Sequence, residues 1–153
     1  MPELPDCQLR PIGRVECAVP DAEIPRRRRD LVSDIVVDDA YADGLAGIEE
    51  YSHLFVVFWM DRQPAAAPLL AHPRGDAGLP QTGAFAMRGR NHPNPLGLAV
   101  VELIARSGTR LTVRRLDAFD GTPVLDIKPY DHYDLVPDPR VPQWFRERAG
   151  LDG

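Results

Sequence analysis

The chain has 153 residues, 44% of them hydrophobic, which suffices for one core without disulfides or metals. No apolar run is long enough for a membrane helix, and the first ten residues hold no apolar stretch that could serve as a secretory signal. Eighteen basic against 23 acidic residues give a net charge of −5, which disfavours a general grip on DNA or RNA. Two cysteines, Cys7 and Cys17, are ordinary cytoplasmic usage rather than a disulfide framework. The expectation is one soluble, cytoplasmic domain with no membrane segment.

The charge is unevenly spread. Asp34, Asp38, Asp39, Asp43, Glu49 and Glu50 occupy a stretch without a basic residue. Arg26, Arg27, Arg28 and Arg29 form a block, and Arg106, Arg110, Arg114 and Arg115 stand in a stretch without acids. Lys128 is the only lysine. Sixteen prolines are roughly twice the usual share of about 5%, so long helices are excluded.

Taken in chain order, residues 9–15 form a first expected strand, ended by Pro20 and Pro25. Residues 31–37 are rich in β-branched side chains and would put Val32, Asp34 and Val36 on one face and Leu31, Ser33, Ile35 and Val37 on the other, which predicts a second strand. Turns follow at Asp43-Gly44 and Gly47. Residues 53–60 are nearly all apolar and too few for a typical helix, so they predict a central strand buried on both faces. Residues 64–80 carry repeated proline and glycine and predict a long loop. Short strands are expected at 83–88, 96–105, 111–116 and 124–128, with turns at Ser107-Gly108 and Asp120-Gly121. Pro142 opens a short helix that runs to Ala149. Six or seven strands with this punctuation predict an all-β fold, a small, mostly antiparallel β-barrel with long loops and a short C-terminal helix. The barrel domain is expected over 8–137, followed by a tail over 138–153.

Several chemistries are excluded. There is no phosphate-binding glycine loop ending in Gly-Lys-Ser/Thr and no dinucleotide fingerprint. His53, His72, His92 and His132 lack zinc spacing, no serine sits in a nucleophile elbow, and no metal site is expected. What remains is polar residues at strand ends and in rigid loops: Ser52-His53, the segment from Arg88 through Asn94 to Gly97, and the segment from Asp117 to Tyr130. Alone, Asp120-Gly121 or Asn94-Pro95 reads as an ordinary turn.

Their order carries more than their separate identities. Pro11-Ile-Gly-Arg-Val, Pro25-Arg26, Gly44-Leu-Ala-Gly-Ile-Glu-Glu-Tyr-Ser-His-Leu54, Gly83-Ala-Phe-Ala-Met-Arg88, Pro93-Asn-Pro-Leu-Gly97 and Asp120-Gly-Thr-Pro-Val-Leu-Asp-Ile-Lys-Pro-Tyr130 follow one another. This succession resembles the TsaA-like family, over most of the chain, from about residue 11 to about residue 135. The resemblance implies a small β-barrel that binds S-adenosylmethionine and works as a homodimer. Family members of the TrmO type methylate N6 of threonylcarbamoyladenosine beside the tRNA anticodon. Carried over by position, it implies cofactor contacts from Arg26, Arg27, Arg28, Asp61, Arg62, Arg88, Leu98, Leu116, Asp117, Ala118 and Phe119.

Asp126, Lys128 and Tyr130 are the expected catalytic residues. On a strand they share one face, where they could orient an acceptor and relay its proton. Lys128 beside Asp126 reads equally as an ion pair that orders a turn. A partly desolvated lysine can give up a proton near neutral pH, whereas arginine cannot.

The sequence departs from the family pattern in places. His92 stands where an arginine is usual, Pro25-Arg26-Arg27 replaces Pro-Arg-Gln, and Asp61-Arg62 replaces His-Gln. Longer members carry a further C-terminal domain. The sequence therefore leaves three readings open: a tRNA methyltransferase, a methyltransferase for a small-molecule acceptor, and a non-catalytic module that binds the cofactor or RNA.

Overall fold

The structure, a computed structural model, describes residues 1–62 and 68–151. Six strands close into an antiparallel barrel: β1 (Gly13–Glu16), β2 (Val32–Val37), β3 (His53–Trp59), β6 (Leu96–Ser107), β7 (Arg110–Arg114) and β8 (Pro123–Pro129). Their order around the wall is β1-β2-β7-β6-β3-β8, and β1 pairs back onto β8 through Gly13 opposite Val124. A separate two-stranded piece joins β4 (Leu70–Ala71) to β5 (Thr82–Gly83). The expected all-β barrel is therefore the fold.

Alternation decides what fills it. Val15, Ile35, Val37, Leu54, Val56, Phe58, Val101, Leu111, Val113 and Val124 point inward and are buried. Burial of such side chains stabilises by roughly 1.5–3 kcal/mol each. Gly97 faces the ring of Phe58 across the β3–β6 pair, and a Cβ there would lie 2.1 Å from a ring atom. Only glycine fits under that ring.

On the outer surface of β1, β2 and β7, Arg110 donates to Glu16 at 2.7 Å and to Asp34 at 2.8 Å, and Thr112 donates to Asp34. The Arg110 hydrogen bond holds the Glu16 carboxyl below its ordinary value of 4.5.

Several expectations need correction. The first strand is only Gly13–Glu16, because residues 9–12 lie outside the regular ladder. β3 is central, but only one of its faces is buried: Trp59 is 44% exposed, and Phe55 and Val57 are half-buried on the outside. Residues 83–88 are not a strand beyond Gly83. Ala84–Ala86 form a 3-10 turn that buries Ala84 and leaves Phe85 exposed. The expected 64–80 loop begins among residues 63–67, which lie outside the described residues. Its later part contains β4 and a 3-10 turn at Pro73–Gly75.

The Pro25 segment is a single turn of helix, α1 (Ile24–Arg27), anchored by buried Ile24. The tail helix, α2 (Gln143–Ala149), has Pro142 as its N-cap and Gly150 in the left-handed conformation as its C-cap. Arg74 lies over the Trp144 ring, and Arg148 is paired with Asp76, which fastens the helix to the 73–76 turn. Cys7 and Cys17 are both free thiols.

Candidate functional site

Strand alternation sends β3 and β7 toward the same barrel end, where their continuations meet. After Trp59, the Met60 N–H donates to the Pro95 carbonyl at 2.8 Å, which seats Asp61 and Arg62 beside the loop that enters β6. The Arg62 fork then spans three segments. One nitrogen meets the Asp21 carboxylate at 2.5 Å, the other donates to the Asp120 carbonyl at 2.9 Å, and the guanidinium lies 5.3 Å from the centre of the Phe119 ring. The Asp120 carboxylate accepts from the Cys17 N–H at 2.9 Å, and Gly121 supplies the positive φ of +79° that the turn needs.

The 116–119 segment alternates like a strand. Leu116 and Ala118 are buried in the core, while Asp117 is exposed and Phe119 half-buried at the surface. Any ligand contact from Leu116 or Ala118 therefore runs through their backbone. Arg26, Arg27 and Arg28 are exposed at this end on and after α1.

A second group lies on the outer wall of β6, β3 and β8. Leu98 is paired with Val57, and Val57 with Asp126, so the three form one row on the outer face. Neighbouring strands are about 4.8 Å apart, which sets Leu98 and Asp126 about 10 Å from each other. The next row is Val100, Phe55 and Lys128. Arg88 donates to the Leu98 carbonyl at 3.0 Å and so borders the wall on the β6 side. Behind it, His92 Nε2 lies 2.8 Å from the Met87 carbonyl.

On the opposite border, the Lys128 ammonium lies 3.0 Å from an Asp126 carboxylate oxygen. The second Asp126 oxygen accepts from the Ile127 N–H at 2.9 Å. The Tyr130 ring packs 5.4 Å from Phe55 and 6.3 Å from His53, whose Nδ1 is 2.8 Å from the Ser52 hydroxyl. Asp126, Lys128 and Tyr130 thus gather on one face, as period two requires. The desolvation expected of Lys128 is not there: its side chain is 67% exposed and paired.

The proposed site residues therefore fall into an end group (Arg26, Arg27, Arg28, Asp61, Arg62, Leu116 to Phe119) and a wall group (Arg88, Leu98, Asp126, Lys128, Tyr130). Asp21 and the Asp120 carbonyl, which hold Arg62, carry no signal of that role in the sequence. They lie far from Arg62 in sequence, and only barrel closure brings them together. Among the described residues, no cluster of three or more His, Cys, Asp or Glu could hold a metal ion.

Comparison with known proteins places this architecture. An S-adenosyl-L-methionine-binding protein of Archaeoglobus fulgidus is 43% identical over 125 residues, 80% of this chain and 88% of that one. A crystal structure of TrmO from Pseudomonas aeruginosa superposes with a TM-score of 0.73 at 31% identity, over 93% of this chain and 63% of that chain. A second TrmO crystal structure gives 0.69 at 31% identity, over 88% of this chain and 62% of that one. The chain thus spans less than two thirds of the length of those solved TrmO chains. Residues 18–134 match the tRNA-methyltransferase O N-terminal domain, and the chain belongs to that family.

Proposed function

We propose that the chain binds S-adenosylmethionine and, as a homodimer, transfers its methyl group to N6 of threonylcarbamoyladenosine in tRNA. The observation that supports this reading most is the convergence of three separate segments, around Asp21, Arg62 and Phe119, at the end of β3, whose outer face is an exposed apolar wall bordered by Arg88.

The residues suit the cofactor's chemistry. Arg88 offers a planar fork that matches a carboxylate. Asp117 is an exposed carboxylate that can accept from ribose hydroxyls, and Phe119 presents an aromatic ring at the surface. When bound, the cofactor supplies an electrophilic methyl on a sulfonium. The protein's part is positioning and exclusion of water. Asp126, Lys128 and Tyr130 orient the acceptor, and the proton that its nitrogen loses passes to Lys128 as the Lys128 ammonium hands one of its own to the Asp126 carboxylate. Trp59, Leu96, Leu98 and Val100 are all at least 40% exposed on the wall. Apolar surface of this kind fits burial against a second subunit.

The test is direct. The protein is incubated with labelled S-adenosylmethionine and tRNA from a strain lacking its own enzyme, and the digest is searched for methylated threonylcarbamoyladenosine. Label in that nucleoside supports the reading. Label elsewhere, or none, defeats it.

A further inference from the structure

The arginines of this barrel are of two kinds. Arg106 and Arg110 lie toward the end where β6 passes into β7, close to the acidic 38–50 segment. Both are neutralised, Arg106 by Glu49 at 2.8 Å and Arg110 by Glu16 and Asp34. Arg14 and Arg114 are likewise paired, with Glu16 and Glu102. At the opposite end, where β2 begins and β7 stops, Arg26, Arg28, Arg29 and Arg115 are all exposed. Among the described residues none of the four makes an ion pair; only Arg27 has a loose one, with Glu23 at 3.9 Å.

Two backbone features build this crest. The Asp30 N–H donates to the Arg27 carbonyl at 2.9 Å, which turns the chain tightly and leaves Arg28 and Arg29 outside buried Leu31. Arg115 has a φ of +77°, a conformation that arginine rarely adopts, and its N–H donates to the Leu31 carbonyl at 2.8 Å. That bond brings Arg115 alongside the strand that Arg29 leads into. It also places Arg115 immediately before the 116–119 segment of the site. Asp38, Asp39, Asp43, Glu49 and Glu50 sit at the far end, away from this crest.

We infer that Arg29 and Arg115 form a docking surface for the phosphate backbone of RNA, beside the 116–119 segment of the proposed cofactor site. Guanidinium groups without carboxylate partners are available for phosphates. This inference rests on the proposed action on tRNA and adds the surface that receives it. Arg29 and Arg115 are outside the proposed cofactor set, so their removal separates RNA docking from cofactor binding.

The experiment measures tRNA binding by fluorescence anisotropy over a salt series, for the wild type and an Arg29→Gln/Arg115→Gln variant. Each lost phosphate contact lowers the slope of log K against log salt by about 0.7 to 0.9, so the double variant should lose about 1.4 to 1.8. Its S-adenosylmethionine affinity should stay within about twofold, which also verifies folding. Asp39→Asn/Asp43→Asn, at the far end, should leave the slope unchanged. An unchanged slope in the arginine variant, or no salt-dependent binding by the wild type, overturns the inference.

The two readings can fail separately. Wild-type methylation of tRNA with an unchanged slope in the variant removes the docking surface and keeps the tRNA reading. Salt-dependent binding lost in the variant, with no methylation by the wild type, keeps the surface and removes that reading.

Discussion

The Arg62 guanidinium lies 5.3 Å from the centre of the Phe119 ring while bridging Asp21 and the Asp120 carbonyl. One side chain thus ties the end of β3 to the segment before α1 and to the β7–β8 connection. All its partners are at least partly exposed, so each contact alone is worth little, about 0.5–1 kcal/mol for the ring contact. Its value lies in fixing three loops at once.

Arg62→Ala is therefore expected to weaken S-adenosylmethionine binding about tenfold, with only a small loss of thermal stability. Arg62→Lys keeps the charge but loses the fork, and should recover little of the affinity. Calorimetry on the three proteins decides. Full recovery by lysine would reduce Arg62 to a plain positive charge.

Arg88 approaches the wall from the other side, through the Leu98 carbonyl. If it clamps the cofactor carboxylate, Arg88→Ala should cost roughly 1.5–3 kcal/mol of binding free energy, the range for a charge-assisted hydrogen bond. A surface arginine without that role would change it by less than about 0.5 kcal/mol. Titration calorimetry separates the two, and an unchanged affinity takes Arg88 out of the site.

The interior makes a stability prediction. A Cβ on residue 97 would stand 2.1 Å from the Phe58 ring, inside a closed barrel where neither strand can yield alone. Overpacking of this kind costs about 1–3 kcal/mol, so Gly97→Ala should lower Tm by roughly 3–10 °C. Gly97→Ala combined with Phe58→Leu should recover part of the loss. A single variant as stable as the wild type would show that the ring moves freely.

How much of this the sequence could disclose depends on range. The alternation in 31–37 and the turns at Gly108 and Gly121 are local, and the strands they predict are present. Barrel closure through Gly13 and Val124 joins residues near opposite ends of the chain, and no local pattern announces it. β3 misled for a different reason. Phe55, Val57 and Trp59 lie on the outer wall, and apolarity alone does not distinguish a second core from an exposed outer face. The side-chain parity of Asp126, Lys128 and Tyr130 was legible, because period two fixes it. The hold of Asp21 on Arg62 was not, because it exists only in the closed fold.

Acid should loosen the ladder on β1, β2 and β7. The Glu16 carboxyl is held below 4.5 in the folded protein, first by the hydrogen bond from Arg110. A carboxyl depressed on folding contributes stability that is present above its unfolded value and lost as pH falls through its folded value. Glu16→Gln removes that contribution. The stability difference between wild type and variant should therefore be largest near neutrality and shrink as pH falls from about 4.5 downward. Urea unfolding at pH 7 and pH 3 measures it, and a difference independent of pH would mean that the pair contributes nothing through charge.

The sharpest chemical prediction concerns Lys128. It stands in the outer row with Phe55 and Val100, its ammonium 3.0 Å from Asp126, and its side chain 67% exposed. In the isolated chain this is an ordinary surface pair, the arrangement that would also merely order a strand end. It differs from such a pair in its neighbours: Tyr130 against Phe55 on one side, and the apolar row leading to Leu98 and Arg88 on the other. Covering that wall with a second subunit or an acceptor would remove the water that now screens the pair, which strengthens its electrostatics. Lys128→Ala is therefore expected to leave S-adenosylmethionine affinity within about twofold while lowering turnover about a hundredfold, as loss of an acid–base group does. Lys128→Arg separates the roles of charge and proton. It should fail to restore the rate if the proton matters, since guanidinium does not release one near neutral pH, and should restore it if only the charge does. Full turnover in Lys128→Ala would leave the pair with Asp126 as a structural contact and move the search for the proton acceptor to Tyr130 or Asp126 itself.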